Sequence, residues 1–172
     1  MKEHIYEMKL RKAVWISLSV WPTVLTQIAA NICFILYLSH NLFMGLVLLN
    51  LLLSVLSVPG IILFVNYYKY SKNKKIIISH DKIILQENEN IAGEITNTEI
   101  TEIELVHATD YSGLPWSDFA FFVLKDAKGN RIIVPNFIME ISELWLDTLS
   151  RKIKRSNIIK TRKSFPSIPL HK

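Results

Sequence analysis

The chain of 172 residues has few of the residue types that mark covalent cross-linking or metal binding. Its one cysteine, Cys33, excludes a disulfide framework and a cysteine-based metal site. Glycine is also scarce: Gly113 and Gly129 stand alone, so no glycine-rich phosphate loop is present. We interpret Cys33 as a small hydrophobic side chain within the first apolar segment.

Catalytic motifs are missing as well. Ser112 and Ser117 have no G-x-S-x-G context and no neighbouring base, so neither is interpreted as a nucleophile. The histidines and aspartates closest to a metal-binding set are His80, Asp81, His107 and Asp110. They lack H-x-x-H or H-E-x-x-H spacing and are interpreted as surface residues. We therefore predict no enzymatic activity, no metal and no cofactor.

Charged residues are absent from residues 13–65. The apolar runs 13–38 and 42–65 contain 26 and 24 residues, and about 20 are enough to cross the hydrocarbon core of a bilayer. Three residues connect the runs, so the two helices must be antiparallel. A cleaved signal peptide is excluded by the length of the first run. The pattern predicts a transmembrane helical hairpin over 13–65.

The basic residues near this hairpin are all on one side of it. Three precede the first helix and four follow the second, whereas the connection has none: Lys9, Arg11, Lys12, Lys69, Lys72, Lys74 and Lys75. The positive-inside rule then places both termini, including an N-terminal segment over 1–12, in the cytoplasm. Trp15, Tyr67, Tyr68 and Tyr70 are expected to form an aromatic belt at that boundary.

Polar residues occur at matching depths in the two apolar runs. In a hairpin that turns near residue 40, Gln27 is level with Ser54 and Asn31 with Asn50. Polar side chains in hydrocarbon are stabilised by hydrogen bonds across helices, and we predict such interhelical contacts here. The alternative, a polar pathway through the membrane, usually needs ionisable residues, and the two runs have none.

The net charge of +5 is divided unevenly along the chain. Residues 1–75 carry eight basic and two acidic side chains, 76–150 four and thirteen, and 151–172 eight and none. Nucleic-acid binding is not expected, because the positive charge lies outside the folded part. The glutamates are interpreted as a solvated face that would attract a basic partner: Glu87, Glu89, Glu94, Glu99, Glu102 and Glu104.

Residues 74–155 show short apolar runs separated by turn signals. We predict strands over 75–79, 82–86, 92–96, 100–108, 118–125 and 131–135, with a hairpin turn at Gly129. A helix is predicted to follow, with Asn136 as its N-cap. Its apolar stripe comprises Ile138, Ile141, Leu144, Trp145, Thr148 and Leu149. The basic tail over 156–172 is predicted to be disordered or loosely associated with the membrane.

Three segments of this region, KIIISHDKIIL, EITNTEITEIEL and FFVLKDAKGNRIIVPNF, resemble the PH-like (pleckstrin-homology-type) domains that follow paired transmembrane helices in small bacterial membrane proteins. The resemblance implies an α+β fold over 74–155, a small antiparallel β-barrel closed by one C-terminal amphipathic helix. Phosphoinositide-binding relatives carry basic residues around the first hairpin. Here only His80 and Asp81 occupy that hairpin, so phosphoinositide binding is not expected.

The loop over 107–116 is the strongest candidate for a binding surface. It carries Tyr111, Leu114 and Trp116, and loops with exposed aromatic residues often hold binding hot spots. The alternative is that Trp116 folds back as a lid on the open end of the barrel.

These observations favour a non-enzymatic, membrane-anchored module that binds an unidentified protein or assembles with copies of itself, with the lipid bilayer as its other partner. The alternative function is an immunity or defence protein that neutralises a membrane-active toxin through its hairpin. An enzyme that acts on lipid is a third option, which would need convergent titratable groups in the structure to support it.

Overall fold

The computed structural model describes residues 3–36, 43–108, 114–140 and 158–169. Within these ranges the chain contains both helices and strands. The helices are α1 (Leu10–Ile16), α2 (Val20–Leu36) and α3 (Phe43–Ser71). The strands are β1 (His4–Glu7), β2 (Lys74–Ile78), β3 (Lys82–Glu87), β4 (Asn90–Thr96), β5 (Ile100–Ala108), β6 (Ala120–Asp126), β7 (Arg131–Pro135) and β8 (Ile158–Lys163).

The strands form two four-stranded sheets, with the orders β1-β2-β3-β4 and β7-β6-β5-β8. All pairs are antiparallel except β5 and β8, which run parallel. Within the described residues neither sheet closes on itself, so the prediction of a β-barrel is wrong. The sheets adjoin where Gly93 of β4 lies against the Ile132 side chain of β7. Strand β8 lies beside β5 and is the last strand of the second sheet.

Strand β1 precedes the helices, and its partner β2 follows them. His4 is opposite Ile78 and Glu7 is opposite Lys75. Neighbouring antiparallel strands are usually joined by two to five residues, whereas here the whole helical segment joins them. The first sheet therefore includes a strand from residues 1–12. The sequence pattern assigns these residues to a segment outside the 74–155 domain.

The predicted strands between residues 74 and 135 are confirmed as β2 to β7. The predicted hairpin turn is also confirmed: Gly129 has a φ of +88°, a conformation that suits glycine. The Asp126 carboxylate accepts hydrogen bonds from the amides of Lys128 and Asn130, at 2.9 and 2.8 Å. These bonds fix the turn between β6 and β7.

Strand β6 is apolar along most of its length because both of its faces are covered. Phe122 and Leu124 belong to a core shared with the first sheet. Phe121 and Val123 belong to a second core, which the sheet shares with the helices. The second sheet is thus the middle layer between the first sheet and the helices.

The first apolar segment bends at residues 17–19. Helices α1 and α2 meet at 78°, so the prediction of one helix over 13–38 is wrong. Ser17 is fully buried in the bend, where its Oγ donates to the Ala13 carbonyl at 2.8 Å and accepts from Trp21 Nε1 at 3.1 Å. A buried hydroxyl with local partners lets the chain turn without a proline or a charge.

Among the described residues, Val47–Ser71 is the helix that is long and apolar enough to cross a bilayer. The bent pair Leu10–Ile16 and Val20–Cys33 is a second candidate if it is counted as one span. Gln27 contacts Ser54 and Val20 contacts Gly60, so α2 and α3 pack in antiparallel orientation.

The C-terminal end of α3 enters the second core. Tyr67 is fully buried, and its ring lies 5.1, 6.3 and 5.4 Å from those of Phe119, Phe121 and Phe137. The Tyr70 hydroxyl donates to the Ile133 carbonyl at 3.2 Å. The prediction that these tyrosines form an interfacial belt is therefore wrong for Tyr67 and Tyr70, which are core residues.

The C-terminal predictions have mixed outcomes. Residues 158–163 form β8 and Ile168 is buried, so the prediction of a disordered tail is wrong for 158–169.

Most of the predicted C-terminal helix (141–157) lies outside the described residues. Asn136 is in a turn and its Nδ2 donates to the Asp118 carbonyl at 2.6 Å, while the Ile138 amide donates to Pro135. The predicted N-cap role of Asn136 is wrong.

Candidate functional site

The bend between α1 and α2, the loop before β6 and the segment after β8 meet beside α3. We call this meeting point the junction, and define it by residues 17–19, 114–117 and 164–168. Ser19 Oγ donates to the Pro115 carbonyl at 2.7 Å. Trp116 Nε1 donates to the Ser164 carbonyl at 2.9 Å. Two side chains thus join three segments that are far apart in sequence.

Helix α3 holds the C-terminal segment through a pair of hydrogen bonds at one residue. Asn66 Nδ2 donates to the Ile168 carbonyl at 3.0 Å, and Asn66 Oδ1 accepts from the Ile168 amide at 2.8 Å. The Tyr67 hydroxyl donates to the Pro166 carbonyl at 2.9 Å. Because the polar backbone of this segment is satisfied by side chains of α3, it can lie against the helix with Ile168 buried.

The predicted binding loop is only partly described. Tyr111 lies outside the described residues. Leu114 is half-buried, and Trp116 is half-buried against the second core with its indole nitrogen bonded to Ser164. Trp116 therefore combines features of the two predicted roles, since one part of its ring covers core residues and another part remains accessible.

Two exposed apolar side chains belong to the junction, and a third, Trp15, lies two residues before it in sequence. Trp15 is 64% exposed, Leu18 is 44% exposed and Phe165 is 36% exposed. The sequence pattern did not identify Leu18 or Phe165 as surface residues of interest. Phe165 lies among basic and proline residues that are typical of a tail, and the bonds at Ser164, Pro166 and Ile168 bring it to this surface.

The four polar residues predicted to connect the helices lie in α2 and α3. Gln27 Nε2 donates to Ser54 Oγ at 2.6 Å, as an interhelical hydrogen bond. Gln27 Oε1 accepts from Ser57 Oγ at 2.6 Å, and Ser57, which sequence reasoning missed, is fully buried. Asn31 Nδ2 donates to the Gln27 carbonyl of its own helix at 2.8 Å, and Asn50 is half-buried on α3.

Most of the predicted acidic face is paired with lysines. Nζ–O distances are 3.7 Å for Lys74–Glu87, 3.1 Å for Lys82–Glu94 and 2.7 Å for Lys128–Glu99. Lys125 contacts both Glu102 and Glu104, and its pKa is raised mainly by the hydrogen bond with Glu102. The pairing reduces the field that this face can offer to a basic partner.

Glu104 also connects β5 to β8. Its Oε1 accepts a hydrogen bond from Thr161 Oγ1 at 2.8 Å. This bond is the main cause of a lowered Glu104 pKa, to which Lys125 also contributes and which partial burial opposes. The carboxylate thus stabilises the parallel pairing of the C-terminal strand.

The histidines and aspartates of the sequence are placed in turns and strands. Asn97 Nδ2 donates to the His80 carbonyl at 2.9 Å, and the Asp81 carbonyl accepts from the Asn97 amide at 2.7 Å, so this turn is held by a buried asparagine. His107 Nδ1 lies 2.7 Å from the Ala108 carbonyl oxygen. Asp110 is outside the described residues, and within those residues no group of three or more His, Cys, Asp or Glu could hold a metal.

A polar cleft of about 220 Å³ lies where the helical segment returns to the first sheet. Its lining combines Lys72 and Lys75 with Glu7 and Glu89, and Lys75 Nζ lies 3.6 Å from the Glu7 carboxylate. The two signs of charge offset each other, so the cleft is not a concentrated anion site.

Comparison with known proteins identifies the family. A family model described as "PH domain" matches residues 5–145, which include β1, all three helices and the strands through β7. No curated protein matches the chain. The match covers more than half of the sequence. This chain belongs to the PH domain family.

Proposed function

We propose that the chain is a membrane-anchored PH domain that serves as a non-enzymatic module for protein interaction or assembly, at the cytoplasmic face of a bacterial inner membrane. One observation carries the proposal: α3 exposes apolar side chains from Met44 to Val65 and enters the core of the domain with Leu63, Tyr67 and Tyr70. A single rigid helix thus joins an apolar surface to a binding domain.

Helices α2 and α3 expose more apolar surface than a protein in water usually does. Side chains that are half or more exposed are Leu25, Ile28, Ile32, Ile35, Leu36, Met44, Leu48, Leu51, Leu52, Val55 and Ile62. Soluble monomers rarely expose contiguous apolar patches above a few hundred Å². Lipid tails remove this cost, and the absence of charge over 13–65 fits the same environment.

The domain is attached to these helices at several points rather than through a flexible linker. Strands β1 and β2 continue from both ends of the helical segment and pair with each other. Tyr67 is buried in the domain, and Asn66 binds the C-terminal segment. The domain is therefore held at a fixed height and orientation relative to the helices, which suits a module that meets partners at a membrane.

Two observations support the interaction role: the family to which the chain belongs and the exposed apolar area at the junction. PH domains are generally binding modules for lipids or proteins. Leu114, Trp116 and Phe165 give the junction partly exposed apolar area of the kind that supplies binding hot spots. The described residues bring together no nucleophile, base and orienting group, so a binding role is the simpler proposal.

Topology is the first test. Reporter fusions after Lys75 and at the C-terminus should report a cytoplasmic location, and a fusion at His40 an external one. A cytoplasmic signal at all three positions would contradict the anchor. An external C-terminus would contradict the orientation and every inference about cytoplasmic partners.

Photo-crosslinking in native membranes tests the interaction role. A crosslinkable residue at Leu114 or Phe165 should capture a specific protein or a second copy, and one at Ile91, exposed on β4, is the matched control. Equal capture at Ile91 would argue against a site at the junction. Specific capture from Leu52 in α3, with none from the junction, would favour the alternative in which the hairpin neutralises a membrane-active toxin.

A further inference from the structure

Helix α1 runs at 78° to α2, immediately after β1 and before the bend. If α2 crosses a bilayer, as proposed above, a helix at this angle lies nearly in the plane of the membrane surface. The bend removes residues 10–16 from the span and leaves α2 with 17 residues in the helix that crosses.

The two faces of α1 differ in their surroundings. Ala13 is fully buried and Ile16 packs against the second core, so this face rests on the domain. On the opposite arc of the helix, Leu10 is 62% exposed and Trp15 is 64% exposed, with Val14 between them at 39%. Successive positions of a helix differ by about 100°, so these three side chains lie within an arc of about 140°, which also contains Arg11.

The charged residues within α1 and immediately before it are all basic. Between Glu7 and Asp81 the sequence has no acidic residue, while Lys9 and Arg11 lie at the start of α1 and are exposed. Lysine and arginine side chains can extend their charged ends to phosphate level while their methylene groups cover apolar surface. A tryptophan near such cations is typical of the interface between lipid and water.

We propose that α1 is an interfacial helix that binds the surface of an anionic bilayer, with Leu10, Val14 and Trp15 at the acyl boundary and Lys9 and Arg11 on lipid phosphates. The proposal rests on the membrane anchoring proposed above and adds the class of lipid that the domain contacts. Short amphipathic helices with basic residues bind membranes through buried apolar area and attraction to anionic lipids.

This arrangement places α1 between the domain and the bilayer. Its domain-facing side contacts the same core as Tyr67 and Phe119, so a force on the helix is transmitted to the second sheet. The lipid contact would fix the tilt of the domain and its helices relative to the bilayer plane, which the hairpin alone does not determine. The junction, joined to the bend through Ser19 and Pro115, is then held close to the headgroups.

The test uses the full chain in lipid nanodiscs of phosphatidylcholine, with or without phosphatidylglycerol. In a Cys33→Ser background, single cysteines introduced as Trp15→Cys, Leu52→Cys and Ile91→Cys carry a fluorophore; Leu10→Cys is the second probe of α1 if Trp15→Cys fails to fold. Quenching is measured with a nitroxide lipid labelled near the headgroup, a nitroxide lipid labelled near the chain end, and acrylamide in water.

At position 15 we expect quenching by the headgroup nitroxide and protection from acrylamide. Both effects should be stronger in discs that contain phosphatidylglycerol. Position 52 should respond to the chain-end nitroxide and position 91 to acrylamide alone. Lys9→Gln together with Arg11→Gln should abolish the gain from phosphatidylglycerol at position 15.

Different failures have different meanings. If position 15 is quenched by acrylamide alone while position 52 is quenched by the chain-end nitroxide, the interfacial helix is refuted but the membrane anchor is not. If position 52 is quenched by acrylamide alone, the anchor itself is refuted. Protection at position 15 without nitroxide quenching would show that a protein surface covers α1, and equal quenching with and without phosphatidylglycerol would refute the anionic preference.

Discussion

The Cγ atoms of Val20 lie 2.9 and 3.0 Å from the position that a Cβ would occupy on Gly60. The first residue of α2 therefore packs directly on the backbone of α3, next to Pro59. Small residues at such a crossing allow close approach of two helices, and this contact lies just beside the bend that separates α1 from α2.

Gly60→Ala should destabilise the chain by about 1–3 kcal/mol, because the new methyl group would overlap Val20 and push the helices apart. Unfolding of the full chain in detergent, followed by tryptophan fluorescence, measures the effect. Gly45→Ala in the same helix is the matched control, since no atom lies within 4 Å of its Cβ position. The control should be neutral or stabilising by up to about 1 kcal/mol. Equal effects at both glycines would contradict the close packing at Gly60.

Gln27→Leu should weaken the association of α2 and α3, because Ser54 and Ser57 would each lose a partner within an apolar surrounding. Interhelical hydrogen bonds of this kind contribute about 0.6–2 kcal/mol in membranes. A double-mutant cycle with Ser57→Ala measures the coupling, and strict additivity would show that the 2.6 Å contact has no energetic value. The pairing of Asn31 with Asn50 stays a prediction, testable by the same cycle with leucine at each position.

Trp116→Ala should lower the stability of the full chain by about 2 kcal/mol, less than a fully buried aromatic residue, because the side chain is only half-buried. It should also raise hydrogen exchange at residues 158–168, since the bond to Ser164 is lost. Trp116→Phe keeps most of the packing and should cost about 1 kcal/mol for the missing hydrogen bond. An unchanged melting temperature together with lost crosslinking at the junction would assign Trp116 to binding alone.

Acid should weaken the pairing of β8 with β5 through Glu104. The Glu104 pKa is lower in the folded chain than in the unfolded one, so its contribution is complete above the unfolded value of about 4.3 and is lost as the pH falls towards the folded value. Thermal melts of the full chain between pH 3 and pH 7 measure this loss. Glu104→Gln and Thr161→Val should both flatten the dependence, and an unchanged profile in both variants would exclude Glu104 as its source.

The strands from β2 to β7 could be predicted because each is marked locally by β-branched residues and by turns such as the one at Gly129. The apolar helices could be predicted from their length and lack of charge. The bonded pair Gln27 and Ser54 could be placed at one depth from the position of the hairpin turn. All of these signals are contained within short stretches of sequence.

The remaining features depend on contacts between distant residues. Strand β1 has four residues and no apolar alternation that would distinguish it from a membrane flank, and β8 lies in a basic segment close to two prolines. The bend at Ser17 contains no proline, glycine or charge. Tyr67 is typical of an interfacial belt by its position, and its contacts with Phe119, Phe121 and Phe137 make it a core residue.

The connection between β1 and β2 spans 66 residues, from Met8 to Asn73, and this has a consequence for biosynthesis. The first strand leaves the ribosome early and has no partner until the helices have been made. If the helices cross a bilayer, a chain in which α3 does not return leaves β1 and β2 on opposite sides, and the first sheet cannot form. The first sheet then forms only in chains that have inserted correctly. A misinserted chain would expose the unpaired edge of β2 to cellular proteases.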